Sequence, residues 1–250
     1  MFNTLLDAKL TLETTLQIII GHEQLATYLN TIGDGPDGLA AWEQDVRKRI
    51  QGKGIDALTV INANPFTIGH RYLVQLASRR CSGLLVLVIQ GNPESGGKGN
   101  HENTGLQYPF EKRLAMTNCG LSDIPNVTIL PSGPYILSRN DYPALLFSDI
   151  LGPAPAHAAL NSMVICHVCK SLGINLAFFG DEPRDELSEI HLNALRQTCL
   201  ENKITLKVAE RKRIGDRYIS SSLARQAIAD NDTDELRVLI PENVYPLLGL

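Results

Sequence analysis

Two polar clusters, far apart in the chain, carry the residue types that hold phosphate. Thr67 and His70 stand three residues apart in "NANPFTIGHRYL", residues 62–73, and Ser220, Ser221, Ser222 and Arg225 stand in "DRYISSSLARQAI", residues 216–228. Side chains three apart at the start of a helix share one side of its first turn. The open N–H groups and the positive end of such a helix attract phosphate oxygens, and Gly69 lets a bulky ligand approach the backbone closely. An imidazole at His70 then stands where it can donate to an oxygen whose charge grows in a transition state. The same segment also reads as a plain turn and a capped helix with an incidental histidine. In the second cluster, three hydroxyls, terminal amides and Arg225 make a phosphate clamp, because the guanidinium fork fits phosphate oxygens. Serines at a helix start also serve simply as caps.

Something must bring these clusters together. Apolar runs rich in β-branched residues predict strands at "ALTVINAN" (57–64), "LLVLVIQ" (84–90), "NVTILPS" (126–132), "INLAFFG" (174–180) and "ITLKVAE" (204–210). Near-continuous apolar strands imply burial on both faces, as in a parallel sheet. Helical patterns lie between them at 68–80, 110–119, 156–172 and 185–201, the third with Leu160, Val164, Val168 and Leu172 four apart. Alternating strands and helices predict a doubly wound α/β sheet. Ligands of such sheets sit at the carboxyl ends of strands near the topological switch point, and "NANPFTIGH" occupies one such end. Residues 1–54 read as a different piece, an N-terminal extension closing with "GDGPDG" and a charged helix that Trp42 anchors; the α/β domain runs over 55–250.

Bulk properties remove several function classes. The formal net charge is −4, so no basic field argues for nucleic acid or an anionic membrane. No run of about 18 apolar residues exists to span a bilayer. The N-terminus shows no signal-peptide pattern, and the five cysteines form an odd count spread through helical segments. Reduced, packed thiols in a cytoplasmic protein are the expectation. Cys166 and Cys169 fall in the apolar-periodic helix, with no second pair to complete a zinc site. His191 lies in a polar helix and is expected at the surface. Asp181 and Glu182 fit a turn after a strand as well as a metal pair. The Gly-rich stretch 91–105 reads either as a tolerated surface insertion or as a lid whose Lys98 or His101 reaches a triphosphate.

Together, Thr67-Ile68-Gly69-His70 and Ile219-Ser220-Ser221-Ser222-Leu223-Ala224-Arg225 resemble the paired signatures of the nucleotidyltransferase superfamily. The strings "VINANPFTIGHRYLV", "YPFEKRL", "SDIPNVTILPSGPYILSRNDYP" and "FFGDEP" narrow the resemblance to the catalytic domain of citrate lyase ligase, from about residue 57 to the C-terminus. That resemblance implies a Rossmann-like, doubly wound parallel sheet of five strands. It implies an enzyme that activates acetate with ATP and Mg2+, releases pyrophosphate, and passes the acetyl group to the thiol prosthetic group of the citrate lyase acyl carrier subunit. Position by position, it puts Thr67 and His70 at the nucleotide phosphates, with His70 stabilising the α-phosphate as pyrophosphate leaves. Asn62, Asn64, Pro65, Phe66 and Gly69 belong to the nucleotide-binding string. Arg113 is placed to meet phosphate or the acyl substrate, and Gly180, Asp181 and Glu182 lie toward ribose and base. Ile219, Ser220, Ser221, Ser222 and Arg225 close on the β- and γ-phosphates. No protein metal ligands are implied.

The family's usual members carry an acetyltransferase-like domain ahead of this one, and 1–54 is below the usual size of an independent domain. "TLQIIIGHEQLATYL" reads as one strand and one helix of a remnant. A free-standing adenylyl- or cytidylyltransferase acting on a small phosphate or phosphonate therefore stays open. An aminoacyl-tRNA synthetase would bring a lysine-rich second motif and a nucleic-acid-binding domain. A regulatory nucleotide binder without turnover would lack His70 or Arg225. Neither pattern is present.

Overall fold

Every residue of "LLVLV", Leu84 to Val88, is buried, which only a central strand covered on both faces permits. The computed structural model describes residues 27, 29–30, 33–90, 108–137, 153–181 and 186–249. Among them, β1 (Ala57–Ile61), β2 (Leu84–Val88), β3 (Val127–Pro131), β4 (Leu176–Gly180) and β5 (Thr205–Ala209) form one sheet in the order β3-β2-β1-β4-β5. All four pairings are parallel. The order reverses between β1 and β4, so the switch point lies at the carboxyl end of β1. Two residues each, β6 (Arg213–Ile214) and β7 (Arg217–Tyr218), form a separate antiparallel ribbon.

Among the described residues the α-helices with both ends defined are α1 (Gly35–Ile50), α2 (Ile68–Ser78), α3 (Phe110–Gly120), α4 (Pro153–Ser171), α5 (Glu186–Glu201), α6 (Ser221–Ala229) and α7 (Thr233–Leu239). Side chains along β2 alternate between two cores, as the period of a strand requires. Leu85 and Leu87 join Leu39 and Val46 of α1, Val164 and Val168 of α4 and Leu195 of α5. Leu84, Val86 and Val88 join Val74 and Ala77 of α2, Met116 of α3, Ala224 of α6 and Leu236 of α7. The doubly wound α/β architecture is the one the alternation of runs predicts.

The strand predicted over 57–64 stops at Ile61. Ala63 takes φ 55, a left-handed value that leaves strand geometry, and the following Asn64–Pro65 peptide is cis. α1, expected as part of a separate extension, packs Leu39, Val46 and Ile50 into the first core. Its Trp42 meets Tyr135 with ring centroids 6.1 Å apart. Cys166 and Cys169 are buried in α4. His191 departs from the surface expectation. It is half-buried, because its Nε2 lies 3.0 Å from Nδ1 of the buried His157 on the neighbouring α4. The remnant segment up to residue 26, the stretch 91–105 with Lys98 and His101, Ser138, Arg139, Pro143 and Glu182 lie outside the described residues.

Candidate functional site

At the end of β1 the chain turns into α2 through a capping box of unusual composition. Thr67, extended at φ −121 and ψ 167, is the N-cap, and its hydroxyl accepts from the His70 amide. In return Nδ1 of His70 accepts from the Thr67 backbone N–H at 3.0 Å and lies 2.9 Å from Thr67 Oγ1. An imidazole here takes the place that a Glu or Gln side chain usually fills. A backbone N–H can only donate, so Nδ1 is the acceptor and the neutral ring carries its proton on Nε2. The box therefore selects the tautomer that presents a donor on the far side of the ring. Phe66, fully buried, stacks on the imidazole at 5.5 Å between centroids and 25° between planes. Local sequence thus sets both the angle and the polarity of His70.

The second cluster folds onto the first. Ser220 caps α6 by accepting from Leu223 N at 3.0 Å. Ser221 Oγ donates to the Pro65 carbonyl at 3.0 Å, and the Arg225 guanidinium donates to the Asn64 carbonyl at 2.6 Å and to Ser222 Oγ at 3.0 Å. Ile219 is buried beside Gly69, where an added Cβ would stand 3.4 Å from Ile219 Cγ2 and 3.4 Å from Thr67 Oγ1. Those are ordinary van der Waals distances, so the closure of the two segments does not itself require glycine at 69. The N-terminus of α6 therefore abuts the loop that enters α2, and two sets of open helix amides border one place. Of the three serines, Ser220 and Ser221 already hold structural bonds, and Ser222 is the exposed one.

Arg113 is 7% exposed, and its guanidinium reaches carbonyls of three segments. It donates to Asn62 O at 2.7 Å and Oδ1 at 3.0 Å, to Ile89 O at 2.7 Å, to Gln90 O at 3.2 Å and to Tyr108 O at 3.2 Å. It joins the ends of β1 and β2 to the entry of α3. Asn64 is buried, and its Oδ1 accepts from Tyr108 N at 3.0 Å. Nothing in the sequence marks Tyr108 for this, because both of these contacts use its backbone. Gly180 ends β4 across the switch point, and Asp181 N donates to Ala209 O at 2.8 Å. Among the described residues no hydrogen bond joins Gly180 or Asp181 to either cluster.

A cavity of about 690 Å³ lies on the outer face of α2, lined by residues that include Ile68, Arg71 and Gln75. There Arg71 grips Asp123 at 2.7 and 2.6 Å. The guanidinium holds that carboxyl well down, at about 2. No helix among the described residues is long and apolar enough to cross a membrane.

A family model described as the citrate lyase ligase C-terminal domain matches residues 56–248. Similar curated proteins are [citrate [pro-3S]-lyase] ligases. The Haemophilus influenzae protein is 27% identical over 206 residues, 80% of this chain and 57% of its own length. The Escherichia coli protein is 28% identical over 188 residues, 73% of this chain and 50% of its own. The chain spans about half the length of the curated relatives it matches. Among solved structures, Thermus thermophilus pantothenate synthetase is similar at 14% identity and TM-score 0.44, over 83% of this chain and 80% of that one. Thermotoga maritima TmcAL, bound with alpha-thio ATP, is similar at 13% identity and TM-score 0.46, over 78% and 55%.

Proposed function

The chain belongs to the citrate lyase ligase C-terminal domain family, and from that premise we propose that it is an ATP-dependent adenylating ligase. In this reading acetate attacks the α-phosphate of ATP, the bond to the β-phosphate oxygen breaks, and pyrophosphate leaves. The thiol of a citrate lyase acyl carrier subunit then attacks the acetyl carbon and AMP leaves. The observation that carries the reading is the closure of the Ser221 and Arg225 segment onto the carbonyls of Pro65 and Asn64, beside the His70 capping box.

Little covalent work falls to the protein in such a reaction; positioning and charge stabilisation do most of it. Nε2 of His70 donates to an α-phosphate oxygen as charge grows there. Thr67 sets the ring, and Gly69 with the first α2 amides lies along the phosphates. Ser222 and the α6 amides receive the β- and γ-phosphates, with Arg225 closing over them, while Ser220 caps the helix and Ser221 ties it to Pro65. Asn62, Asn64, Pro65, Phe66 and Ile219 give the seat its shape. Arg113 acts as a positioning residue, holding the strand ends at their spacing while its donors face carbonyls. Gly180 and Asp181 border the ribose and base.

Magnesium would be carried on the nucleotide phosphates, with water and the exposed Ser222 hydroxyl as the hard oxygen donors at hand. Among the described residues no three of His, Cys, Asp and Glu come together as a ready-made cage. Bound there, the ion neutralises charge on the departing pyrophosphate.

The test is pyrophosphate release from ATP and from CTP, with acetate alone and then with hydroxylamine as a trap. Acetate-dependent release from ATP with acetyl hydroxamate formed is the expected result. Release that ignores acetate and follows a phosphorylated or phosphonate acceptor would replace the ligase with a free-standing nucleotidyltransferase.

A further inference from the structure

Residues 211–217, "RKRIGDR", place four basic side chains and one acid in a chain whose formal net charge is −4. They lead into and form the β6–β7 ribbon, which stands apart from the main sheet. Its base is pinned to the phosphate seat. Ile219 N donates to Lys212 O at 3.0 Å, and Arg211 Nε donates to Ile219 O at 2.9 Å. The four cations are not equivalent. Arg217 is matched by Glu235 at 3.0 Å. Arg213 lies 4.2 Å over the ring of Tyr218, and Lys212 Nζ lies 5.3 Å over the ring of Tyr72. Neither Lys212 nor Arg213 forms an ion pair among the described residues. Aromatic faces hold these two cations in position without neutralising them. That arrangement costs a later partner little ordering.

The ribbon borders the cavity of about 690 Å³, whose lining includes Lys212, Ile68, Arg71, Gln75, Asp123 and Glu242. Ile68, Arg71 and Gln75 recur at helical spacing on the outer side of α2, while Leu73, Val74 and Ala77 turn to the core. This concavity therefore faces away from the core side of α2, and among the described residues the one ion pair of its lining is Arg71 with Asp123. Arg71 answers Asp123 and Glu242 adds one negative charge to the lining, while Lys212 and Arg213 leave the ribbon side positive, which suits an acidic protein surface.

We infer that Lys212 and Arg213, with the groove beside them, dock an acidic face of the acyl carrier subunit that supplies the thiol. The inference rests on the function proposed above. Ile219 links the two places, since it takes its backbone bonds from the ribbon and packs against Gly69. A carrier seated on the ribbon stands at the edge of the seat where the activated acetyl group is made.

The experiment compares the full chain with K212E/R213E and with the conservative K212R/R213K. Two readouts are taken: acetate-dependent ATP–pyrophosphate exchange without carrier, and binding and acetylation of the thiol-form carrier subunit. K212E/R213E keeps exchange within about twofold, while the carrier Kd and KM rise roughly tenfold; K212R/R213K behaves like the parent. Raising salt from about 50 to about 300 mM weakens carrier binding to the parent and has less effect on K212E/R213E. An unchanged carrier Kd in K212E/R213E overturns the docking surface. A raised KM for ATP in the exchange assay also overturns it and assigns the ribbon to the nucleotide. Absent exchange in the parent, with carrier binding that K212E/R213E still weakens, overturns the adenylating function and leaves the docking surface standing.

Discussion

Two regions of the molecule collect residues of the reactive types, and they use them in opposite ways. Around the end of β1, His70 is half-buried, its ring is set by Thr67 and Phe66, and its proton is directed away from the cap. Between α4 and α5, Cys166, Cys169, Cys199 and His157 are all buried. Cys166 and Cys199 sulfurs lie 3.7 Å apart. That contact first, and burial second, push the Cys166 thiol well above its ordinary range. Burial pushes Cys169 up to about 12. Burial, with His191 as the smaller cause, takes His157 down to about 3. Cys166, Cys169 and His157 are thus held in their neutral forms between packed helices, while the same sulfur contact lowers Cys199. The lesson is that reactivity follows position: at a strand end beside open helix amides a histidine is aimed, and between two helices it is core.

The largest expected effect probes the scaffold beneath the aimed region. Arg113→Met leaves one buried and three part-buried carbonyls without their donor at about 1 kcal/mol each, so unfolding in urea should show a loss on the order of 4 kcal/mol. A loss under about 1 kcal/mol, with a large rise in the KM for ATP, would return Arg113 to the ligand. Next comes His70→Ala, which should lower the kcat of the adenylating half-reaction by about 10²-fold with a smaller change in KM. Cys166→Ala should leave kcat within about twofold, and an equal loss in both variants would break the comparison outright.

Third is a pH effect confined to the packed region. The folded-state value of His157 is depressed, so the unfolded chain binds the extra proton between about 6.5 and about 3. Its contribution to stability is therefore present above pH 6.5 and is lost as pH falls, at about 1.4 kcal/mol per pH unit. His157→Leu should flatten that part of the stability curve, read from urea midpoints at several pH values. Smallest is Thr59→Val. Thr59 is fully buried in β1, and its hydroxyl has no hydrogen-bond partner among the described residues. The near-isosteric change should raise stability by about 1 kcal/mol. If it slowed the half-reaction instead, the aimed region would extend below the strand end.

Strands were legible because central parallel strands are apolar on both faces, so "ALTVI" and "LLVLV" stand out without alternation. The helix read over 110–119 is found at Phe110–Gly120. The β6–β7 ribbon was not legible, since two-residue strands within "RKRIGDR" carry no apolar period. Helix α1 reads as a charged linker, yet Leu39, Val46 and Ile50 fall on one stripe that completes a core built by distant strands. At the candidate site the polar residue types and their spacing were legible in both clusters. The partners were not. Arg113 and Arg225 donate to backbone carbonyls, which every residue has and no residue name marks. The His157–His191 contact joins residues 34 apart and likewise leaves no local pattern.

The bonds from Ser221 to Pro65 and from Arg225 to Asn64 close across 156 and 161 positions of the chain. Contacts between such distant positions form only after the intervening loop has lost its entropy, so they come late in folding. During refolding, helical signal should therefore recover before nucleotide-binding competence does. A complete but partly folded chain carries both halves of the proposed seat while holding no seat at all, so in this reading the chemistry waits until the sheet is complete.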